Sequence, residues 1–146
     1  MSAIDGVEIK YLTSMKSGMA EFYTPQSCHE TMLVQVKPWA NDDLFVHHFQ
    51  TDQLLVVRGS FVLVILQNRR YSYIGMSEHL PCVVKIPPNI PHAAINFSEE
   101  PCVMVNAVLR HGKVHERDYT PLRRPFPYDM AAAKAALERL VSPLSA

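Results

Sequence analysis

"VVKIPPNIPHAAIN", residues 83–96, joins two apolar, strand-like runs through a turn that contains three prolines. Proline has no N–H group to donate to a sheet, so the first strand must end at this turn. A turn this stiff also sets where the next strand begins, and that strand starts at His92. The segment therefore predicts two short strands in a β-rich fold, with the His92 side chain aimed in a fixed direction into the interior.

The composition is that of one globular domain with a core of its own: 146 residues, 48% of them hydrophobic. Lysine and arginine together number 14, as do aspartate and glutamate, so neither nucleic acid nor an anionic membrane surface is expected as a partner. No apolar run approaches the length of about 18 residues that a membrane span needs. The N-terminal "MSAIDGVEIKYL" lacks the apolar core of a signal peptide.

The three cysteines, Cys28, Cys82 and Cys102, are odd in number and form no CxxC pair. We therefore expect reduced thiols rather than a disulfide framework or a cysteine metal site. Together with the missing signal peptide, this predicts a cytoplasmic protein.

Eight short runs rich in Val, Ile, Leu, Phe and Tyr fill the middle of the chain, between residues 31 and 109, and turn residues separate them. Short strands at this spacing predict an all-β fold, a sandwich or barrel of antiparallel strands. "RGS" at residues 58–60 and "QNRR" at residues 67–70 are interpreted as hairpin turns, because Gly59 and Asn68 tolerate positive φ.

The two ends differ from this core, which we place at about residues 30–110 of a single domain spanning 1–146. Residues 1–29 are predicted to form an arm, in which "VEIKYL" pairs with a sheet edge or with a second subunit. Residues 111–146 are predicted to be an extended segment followed by a helix over 129–141. Asp129 can cap that helix, and Met130, Ala133, Leu137, Leu140 and Val141 share the face that packs on the outside of the β core.

Three clusters of polar residues could carry chemistry. In "FVHHFQTDQLLVVRG" the adjacent His47 and His48 point to opposite faces of a strand, so only one of them can face the interior beside Asp52 and Gln53. The second cluster is His92 with Asn96. The third, "RHGKVHERDY", is favoured as a solvated loop, because Gly112 argues against the helix that its HxxxH spacing would need; its polar residues are His111, His115, Glu116, Arg117 and Asp118.

The first two clusters together resemble the two-part motif of the cupin superfamily, over roughly residues 30–110. Asp52 takes the place of the usual glutamate, with six residues between it and Gly59, and it is preceded by His48 with a three-residue gap or by His47 with a four-residue gap. Pro87, Asn89, His92 and Asn96 match the second part. The resemblance implies a cupin-type antiparallel β-barrel (double-stranded β-helix or jelly roll), with the C-terminal helix outside it.

Within the superfamily, "HHFQ" followed by "IPPNIPHAAINFSEEP" is similar to the dTDP-4-dehydrorhamnose 3,5-epimerase and dTDP-sugar 3,4-ketoisomerase group. In the epimerases a histidine in an "HYQ" context is the general base, and this role falls on His48 because it precedes Phe49 and Gln50. The resemblance implies a metal-free isomerase or epimerase of a keto-sugar nucleotide or related carbonyl compound. Catalysis is then assigned to His48 and His92, and the candidate substrate-binding residues are Gln50, Arg58, Tyr71, Tyr73 and Asn96.

Two other functions remain open at this point. Metal-binding cupins usually hold their ion with three histidines and a glutamate, and the matching set here is His48 (or His47), Asp52 and His92. Two histidines and a carboxylate can bind iron with positions left open, which would suit an oxygenase. Zn, Mn and Ni are also candidate metals. The other possibility is a non-catalytic, ligand-binding cupin. Many such barrels pair through edge strands, so a homodimer with a contribution from the N-terminal arm is expected.

Of the two adjacent histidines, we predict that His48 faces the cavity opposite His92. His48 alone has the "HFQ" context, and it keeps the three-residue gap to Asp52. His47 is then predicted to point outward.

Overall fold

A computed structural model describes residues 4–16, 21–113 and 118–141 of the chain, which form antiparallel sheets and a C-terminal helix. In chain order the elements are β1 Glu8–Tyr11, β2 Ser14–Lys16, β3 Glu21–Tyr23, β4 Glu30–Val36, β5 Leu44–Val46, β6 Gln50–Arg58, β7 Ser60–Gln67, β8 Arg70–Ser77, β9 Cys82–Ile86, β10 His92–Ile95, β11 Cys102–Arg110, β12 Thr120–Leu122 and α1 Met130–Val141.

Two five-stranded sheets enclose the core. Sheet I has the strand order β1-β9-β6-β11-β4, sheet II has the order β12-β5-β10-β7-β8, and β2 pairs with β3 separately. The eight apolar runs of the sequence correspond to β4 through β11. The predicted fold class, an antiparallel cupin-type barrel with a C-terminal helix, is confirmed.

Sheet II is covered on both faces, which explains why β7, which lies between β10 and β8, is apolar almost throughout. Phe61, Leu63 and Ile65 pack into the core between the two sheets. Val62 and Val64 alternate with them and face the other way, where they belong to a second cluster that includes Leu44, Tyr128 and Ala133. The C-terminal segment therefore buries the outer face of sheet II.

The helix begins where the sequence predicts. The Asp129 carboxylate accepts a hydrogen bond from the backbone N–H of Ala132 at 3.0 Å and caps the first turn. Ala133 and Ala136 are buried against the sheet, whereas Met130, predicted on the same face, is exposed. The side chain of Val141 lies outside the described residues. No helix in the described parts of the chain is long and apolar enough to cross a membrane.

The first described strand, β1, pairs with β9 of the same chain in antiparallel register, from Glu8 opposite Lys85 to Tyr11 opposite Cys82. The sequence left two partners open for this segment, a sheet edge and a second subunit. In the structure the segment pairs with a sheet edge.

The two hairpin turns predicted from the sequence have different outcomes. Asn68 and Arg69, at φ of 51° and 61°, connect β7 to β8 in a tight hairpin, as predicted. The hairpin predicted at residues 58–60 is wrong, because β6 belongs to sheet I and β7 to sheet II. Gly59, at φ of 85°, lies at the corner between the sheets instead, and a Cβ there would come within 3.1 Å of the Pro101 carbonyl oxygen.

Glycine at position 75 allows α1 to lie directly on β8. A Cβ at this position would stand 2.6 Å from the carbonyl oxygen of Ala136, which is too close for any real contact. We expect Gly75→Ala to lower the free energy of unfolding by about 1–3 kcal/mol, as overpacking does elsewhere. Urea denaturation measures the change. Ser72→Ala, on the opposite face of β8, should stay within about 0.5 kcal/mol, and equal stabilities of the two variants would contradict this account of the packing.

Candidate functional site

A cavity of about 690 Å³ lies between the inner faces of the two sheets. Much of its wall is apolar, including Val34, Leu54, Phe61, Leu63 and Met104. The polar groups that line it include two histidines, three carboxylates and two cationic side chains: His47, His92, Asp42, Asp52, Asp118, Lys37 and Arg110. An apolar pocket with a few convergent polar groups is the usual form of a small-molecule site.

His47, and not His48, faces this cavity. The chain leaves sheet II at Val46 and enters sheet I at Gln50, so residues 47–49 form a crossing between the sheets. His47 lines the cavity, while His48 is exposed and its Nδ1–H donates to the Asn89 side-chain oxygen at 2.7 Å. The predicted orientation of the two histidines is therefore wrong, and the four-residue gap from His47 to Asp52 is the spacing that the fold uses.

Alternation along β5 explains the reversal. Phe45 and His47 share the inner face and both line the cavity, whereas Leu44 points to the outer face, where it packs in the cluster under the helix. His48, one residue further along, is turned away from the cavity with that outer set.

His47 lies between two carboxylates. Its Nε2 is 3.6 Å from Asp52 Oδ2, and its Nδ1 is 4.0 Å from Asp118 Oδ2. Nδ1 of His47 and Oδ2 of Asp118 are buried and have no hydrogen-bond partner among the described residues. Burial lowers the pKa of His47, and although the Asp52 carboxylate opposes this effect, the pKa stays below its ordinary value of 6.5. The imidazole is therefore neutral at physiological pH.

Asp52 presents a single oxygen to the histidines. Its Oδ1 accepts hydrogen bonds from the amides of Gln50, at 2.6 Å, and Asn106, at 2.9 Å. Its Oδ2 lies 3.2 Å from His92 Nε2. Burial raises the pKa of Asp52, but the hydrogen bond and the charge of His92, with His47 and Asn106, outweigh burial and lower the pKa below 3.8. Asp52 is therefore a buried carboxylate that stays ionised.

His92 occupies the position that the proline turn predicts. It is 3% exposed and begins β10, and its ring packs against Phe45 with ring centroids 4.4 Å apart. Its Nδ1–H donates to the Ile90 carbonyl at 2.8 Å, within the turn itself. This bond fixes the tautomer, so Nε2 is left to face Asp52. The turn thus sets both the direction of the ring and the nitrogen that it presents.

Asp118 comes from the third polar cluster of the sequence, which was predicted to be a solvated loop. Asp118 is 6% exposed and lines the cavity, so that prediction is wrong for this residue. Its Oδ1 accepts hydrogen bonds from the backbone N–H groups of His48, at 2.6 Å, and Phe49, at 2.9 Å. From the same cluster, the exposed His111 contacts Thr51 outside the cavity lining, and His115, Glu116 and Arg117 lie outside the described residues.

Of the predicted substrate-binding residues, Gln50 alone lines the cavity. Arg58 is exposed at the end of β6. Tyr71 and Tyr73 face the outer side of sheet II, where Tyr71 donates to the Phe126 carbonyl and the Tyr73 hydroxyl accepts from the Asp129 N–H, both at 2.7 Å. Asn96 is buried and donates to the carbonyl of Glu100. None of these last four candidates lines the cavity.

Sequence reasoning missed several cavity residues, among them Asn106, Arg110 and Tyr119. Asn106 is a lone amide in the apolar strand "CVMVNAVL", and that break in pattern was a signal for it. Arg110, whose Nη1 donates to Gln50 Oε1 at 2.7 Å, ends the same strand. Tyr119 stacks on Phe45 with ring centroids 4.8 Å apart; it ends the third polar cluster, which the sequence favoured as a solvated loop.

His47, Asp52 and His92 can supply three of the ligands that a divalent metal needs. One ligand atom from each of His47, Asp52 and His92 lies within 4.8 Å of the other two. The Ile90 carbonyl accepts a hydrogen bond from Nδ1–H of His92, and metal-bound histidines usually donate their other ring N–H to such an acceptor. Two histidines and a carboxylate can hold iron, zinc, manganese or nickel with open positions.

The cysteines have no part in the site. Cys82 and Cys102 are buried, and Cys28 is half-buried; all three are free thiols. Burial raises the pKa of Cys82 to about 11 and that of Cys102 to about 12. These two thiols are therefore protonated and poor nucleophiles.

Comparison with known proteins gives a match in fold. No family model matches the chain, and no curated protein matches it in sequence. Among solved structures, a dTDP sugar isomerase from Desulfovibrio desulfuricans G20 has a TM-score of 0.71 at 13% identity, with 91% of this chain and 96% of that chain covered.

Two further structures agree with it. A dTDP-4-dehydrorhamnose 3,5-epimerase from Elizabethkingia anophelis has a TM-score of 0.68 at 11% identity and covers 84% of this chain and 78% of its own. A mutant 3,4-ketoisomerase from Thermoanaerobacterium thermosaccharolyticum, in complex with TDP-4-keto-6-deoxyglucose, has a TM-score of 0.61 at 13% identity and covers 95% and 99%. At these identities the likeness establishes a shared cupin-type fold, and the structural neighbours are dTDP-sugar isomerases and epimerases.

The lowered pKa of His47 predicts a pH dependence of stability. The unfolded chain, with an imidazole pKa near 6.5, binds a proton that the folded chain resists, so the free energy of unfolding falls as the pH drops below about 6.5. We expect His47→Gln to flatten this fall between pH 7 and pH 5, as measured by urea denaturation. Asp52, whose pKa is lowered, adds a separate loss below its unfolded value of 3.8.

The matched control for the pH series is Tyr119→Phe, which alters the same cavity without changing a group that titrates between pH 5 and pH 7. It should keep the wild-type dependence. Parallel curves for wild type and His47→Gln would show that His47 is not desolvated in the folded protein.

Proposed function

We propose that the chain is an isomerase or epimerase that moves a proton at a carbon next to a carbonyl group, on a nucleotide-linked keto sugar or a related carbonyl compound. The observation that carries this proposal is the position of His47. It is a neutral imidazole in an apolar cavity, held between two carboxylates. A base near neutral pKa is what removal of such a proton requires.

The two carboxylates suit His47 to this task. We assign the Nδ1 proton to the side of Asp118 and the accepting lone pair to Nε2. Burial keeps the ring neutral before the reaction. Once Nε2 has taken the substrate proton, the imidazolium lies 3.6 Å from Asp52 Oδ2 and 4.0 Å from Asp118 Oδ2. The two carboxylates therefore stabilise the positive charge that His47 gains in the reaction, more than they stabilise the neutral ring before it.

Asp52 and His92 supply a second place for a proton. Because Nδ1 of His92 already donates to Ile90, a bare lone pair on Nε2 would face the Asp52 oxygen at 3.2 Å, which is repulsive. A proton on Nε2 removes the repulsion. We assign one proton to this pair, shared between Asp52 Oδ2 and His92 Nε2, beside the His47 ring, whose centroid lies 5.9 Å from that of His92.

The enolate formed when the proton leaves needs a donor at its oxygen. Tyr119 lines the cavity and stacks on Phe45, 5.8 Å from the His47 ring between centroids. We assign its hydroxyl group to this role, in place of the tyrosines predicted from the sequence. The neighbouring structures support the proposed substrate class, because they are named as dTDP-sugar enzymes and one of them holds TDP-4-keto-6-deoxyglucose.

A second function is favoured by the same pair of atoms. The position between His92 Nε2 and Asp52 Oδ2 that a proton would fill also suits a divalent cation, with His47 as the third ligand. Such a cation would act as a Lewis acid on a bound carbonyl or would bind oxygen, as in an oxygenase. The ligand set is His47, Asp52 and His92, with His47 replacing the His48 of the sequence-based assignment.

Assembly and location are part of this proposal. Leu33 and Val57 are exposed on sheet I, 74% and 46%, and we propose that this face pairs two copies into a homodimer. The three free thiols fit a reducing cytoplasm. Light scattering at micromolar concentration tests the dimer, and a monomer there would count against it.

The test of the first function is proton exchange in D₂O, followed by ¹H NMR on TDP-4-keto-6-deoxyglucose. We expect the wild-type protein to exchange or move the proton next to the carbonyl. His47→Ala should slow this by about 10²–10⁴-fold, the usual contribution of a general base. His48→Ala is the matched control, since that ring lies outside the cavity, and should stay near wild type. A larger loss in His48→Ala than in His47→Ala would reverse the assignment.

The two functions separate by metal content. For the isomerase we expect protein purified without added ions to contain far less than one equivalent of Fe, Zn, Mn or Ni by elemental analysis, and chelator to leave proton exchange unchanged. A full equivalent that is lost in Asp52→Ala, together with loss of exchange after chelation, would favour the metal-dependent function instead.

A further inference from the structure

The turn between β4 and β5 has an unusual residue at its tightest point. The turn consists of residues 37–40, and its Ala40 N–H donates to the Lys37 carbonyl at 3.2 Å. Proline is its second residue, and Trp39 is its third, with φ of 59°. This is the pattern of a type II turn, whose third position requires positive φ and is normally glycine or asparagine. A bulky aromatic residue in this conformation is strained, and such strain clusters at functional sites.

Neighbouring segments impose this conformation on Trp39. Its N–H donates to the Ser98 carbonyl at 3.1 Å, and the Asn96 N–H donates to the Ala40 carbonyl at 2.9 Å. The Asn96 side chain holds the same corner by accepting from the Ser98 N–H at 2.9 Å. The backbone therefore needs a positive φ here whatever the side chain. The indole adds little to the core, because Trp39 is 66% exposed.

The turn lies at the wall of the cavity. Lys37 and Ala40, on either side of the Pro38–Trp39 pair, both line it. Lys37 has no ion-pair partner among the described residues. The other cationic residue that lines the cavity, Arg110, forms an ion pair with Glu30 at 2.7 Å and donates a hydrogen bond to Gln50. An unpaired ammonium group and an exposed indole thus stand two residues apart at the edge of the site.

We propose that Lys37 and Trp39 form a subsite for the nucleotide end of the substrate, in which the indole stacks on the base and the ammonium group contacts the diphosphate. This inference rests on the proposed function, since it supplies the part of a nucleotide-linked sugar that the catalytic group does not reach. Stacking on an aromatic face suits any base, and a lysine binds phosphate as a point charge. The strained turn holds the indole outward, ready for the ring to stack.

The chain contains a single tryptophan, so its fluorescence reports on Trp39 alone. We expect dTDP to quench the emission of the wild-type protein in a saturable manner. Inorganic pyrophosphate should bind without quenching, and thymidine should quench only at higher concentration. In Lys37→Ala the quenching by dTDP should persist, with the Kd raised about tenfold or more.

Trp39→Gly separates binding from folding. Glycine accepts the positive φ without strain, so this variant should be at least as stable as wild type in urea denaturation, yet calorimetry should show dTDP binding weakened about tenfold. Tyr11→Ser, at another exposed aromatic residue, is the control and should bind as wild type does. Unchanged emission with dTDP, or full affinity in Trp39→Gly, would overturn the proposal. So would an emission maximum that shifts with protein concentration without nucleotide, because the indole would then be covered by a second copy.

The result is distinguishable from failure of the proposed function. Quenching by dTDP without proton exchange on TDP-4-keto-6-deoxyglucose would support the subsite and reject the isomerase. Proton exchange without quenching would keep the isomerase and reject the subsite.

Discussion

The crossing of the chain from sheet II to sheet I at residues 47–49 is held by backbone hydrogen bonds, and the geometry of the site depends on them. Asp118 accepts from the N–H groups of His48 and Phe49, and the Asn89 N–H donates to the His47 carbonyl at 2.7 Å. These bonds fix the two peptide groups that follow His47. The ring is thereby held between Asp52 and Asp118, although it lies outside any regular strand.

The carboxylate of Asp52 is also fixed by hydrogen bonds from neighbouring side chains. Two amides take one of its oxygens and leave the other to the histidines. Gln50 in turn accepts from Arg110 at 2.7 Å, so the carboxylate is linked through an uncharged side chain to a cation near the surface. A buried carboxylate with these donors can remain charged without a direct salt bridge to arginine or lysine.

The sequence predicted the fold and the position of His92 well, because both rest on local physics. Proline ends a strand wherever it occurs in a sheet, and runs of alternating or continuous apolar residues predict strands without tertiary information. Neither of these signals requires knowledge of the residues that lie on the other side of the sheet.

The choice between His47 and His48 did require that knowledge. Sheet II is covered by the core on one face and by the helix on the other, so Leu44 and Phe45 are both apolar and alternation gives no direction. The same double cover misled the assignment of Tyr71 and Tyr73, which face the helix rather than the cavity. Asn106 carried a readable signal, a lone amide in an apolar strand, whereas Tyr119 lies at the end of a polar stretch that favoured a solvated loop.

Asp118 ties the setting of His47 to the whole fold. It is 70 residues from His48 along the chain, beyond all the strands of sheet I. The strand pairings of sheet I span similar separations, from Glu30 to Val108 and from Glu8 to Lys85. Anchoring the crossing therefore costs a loop-closure entropy comparable to that of forming the sheet itself. No short segment of the chain contains the site, because many of its contacts join parts of the chain that only the complete fold brings together.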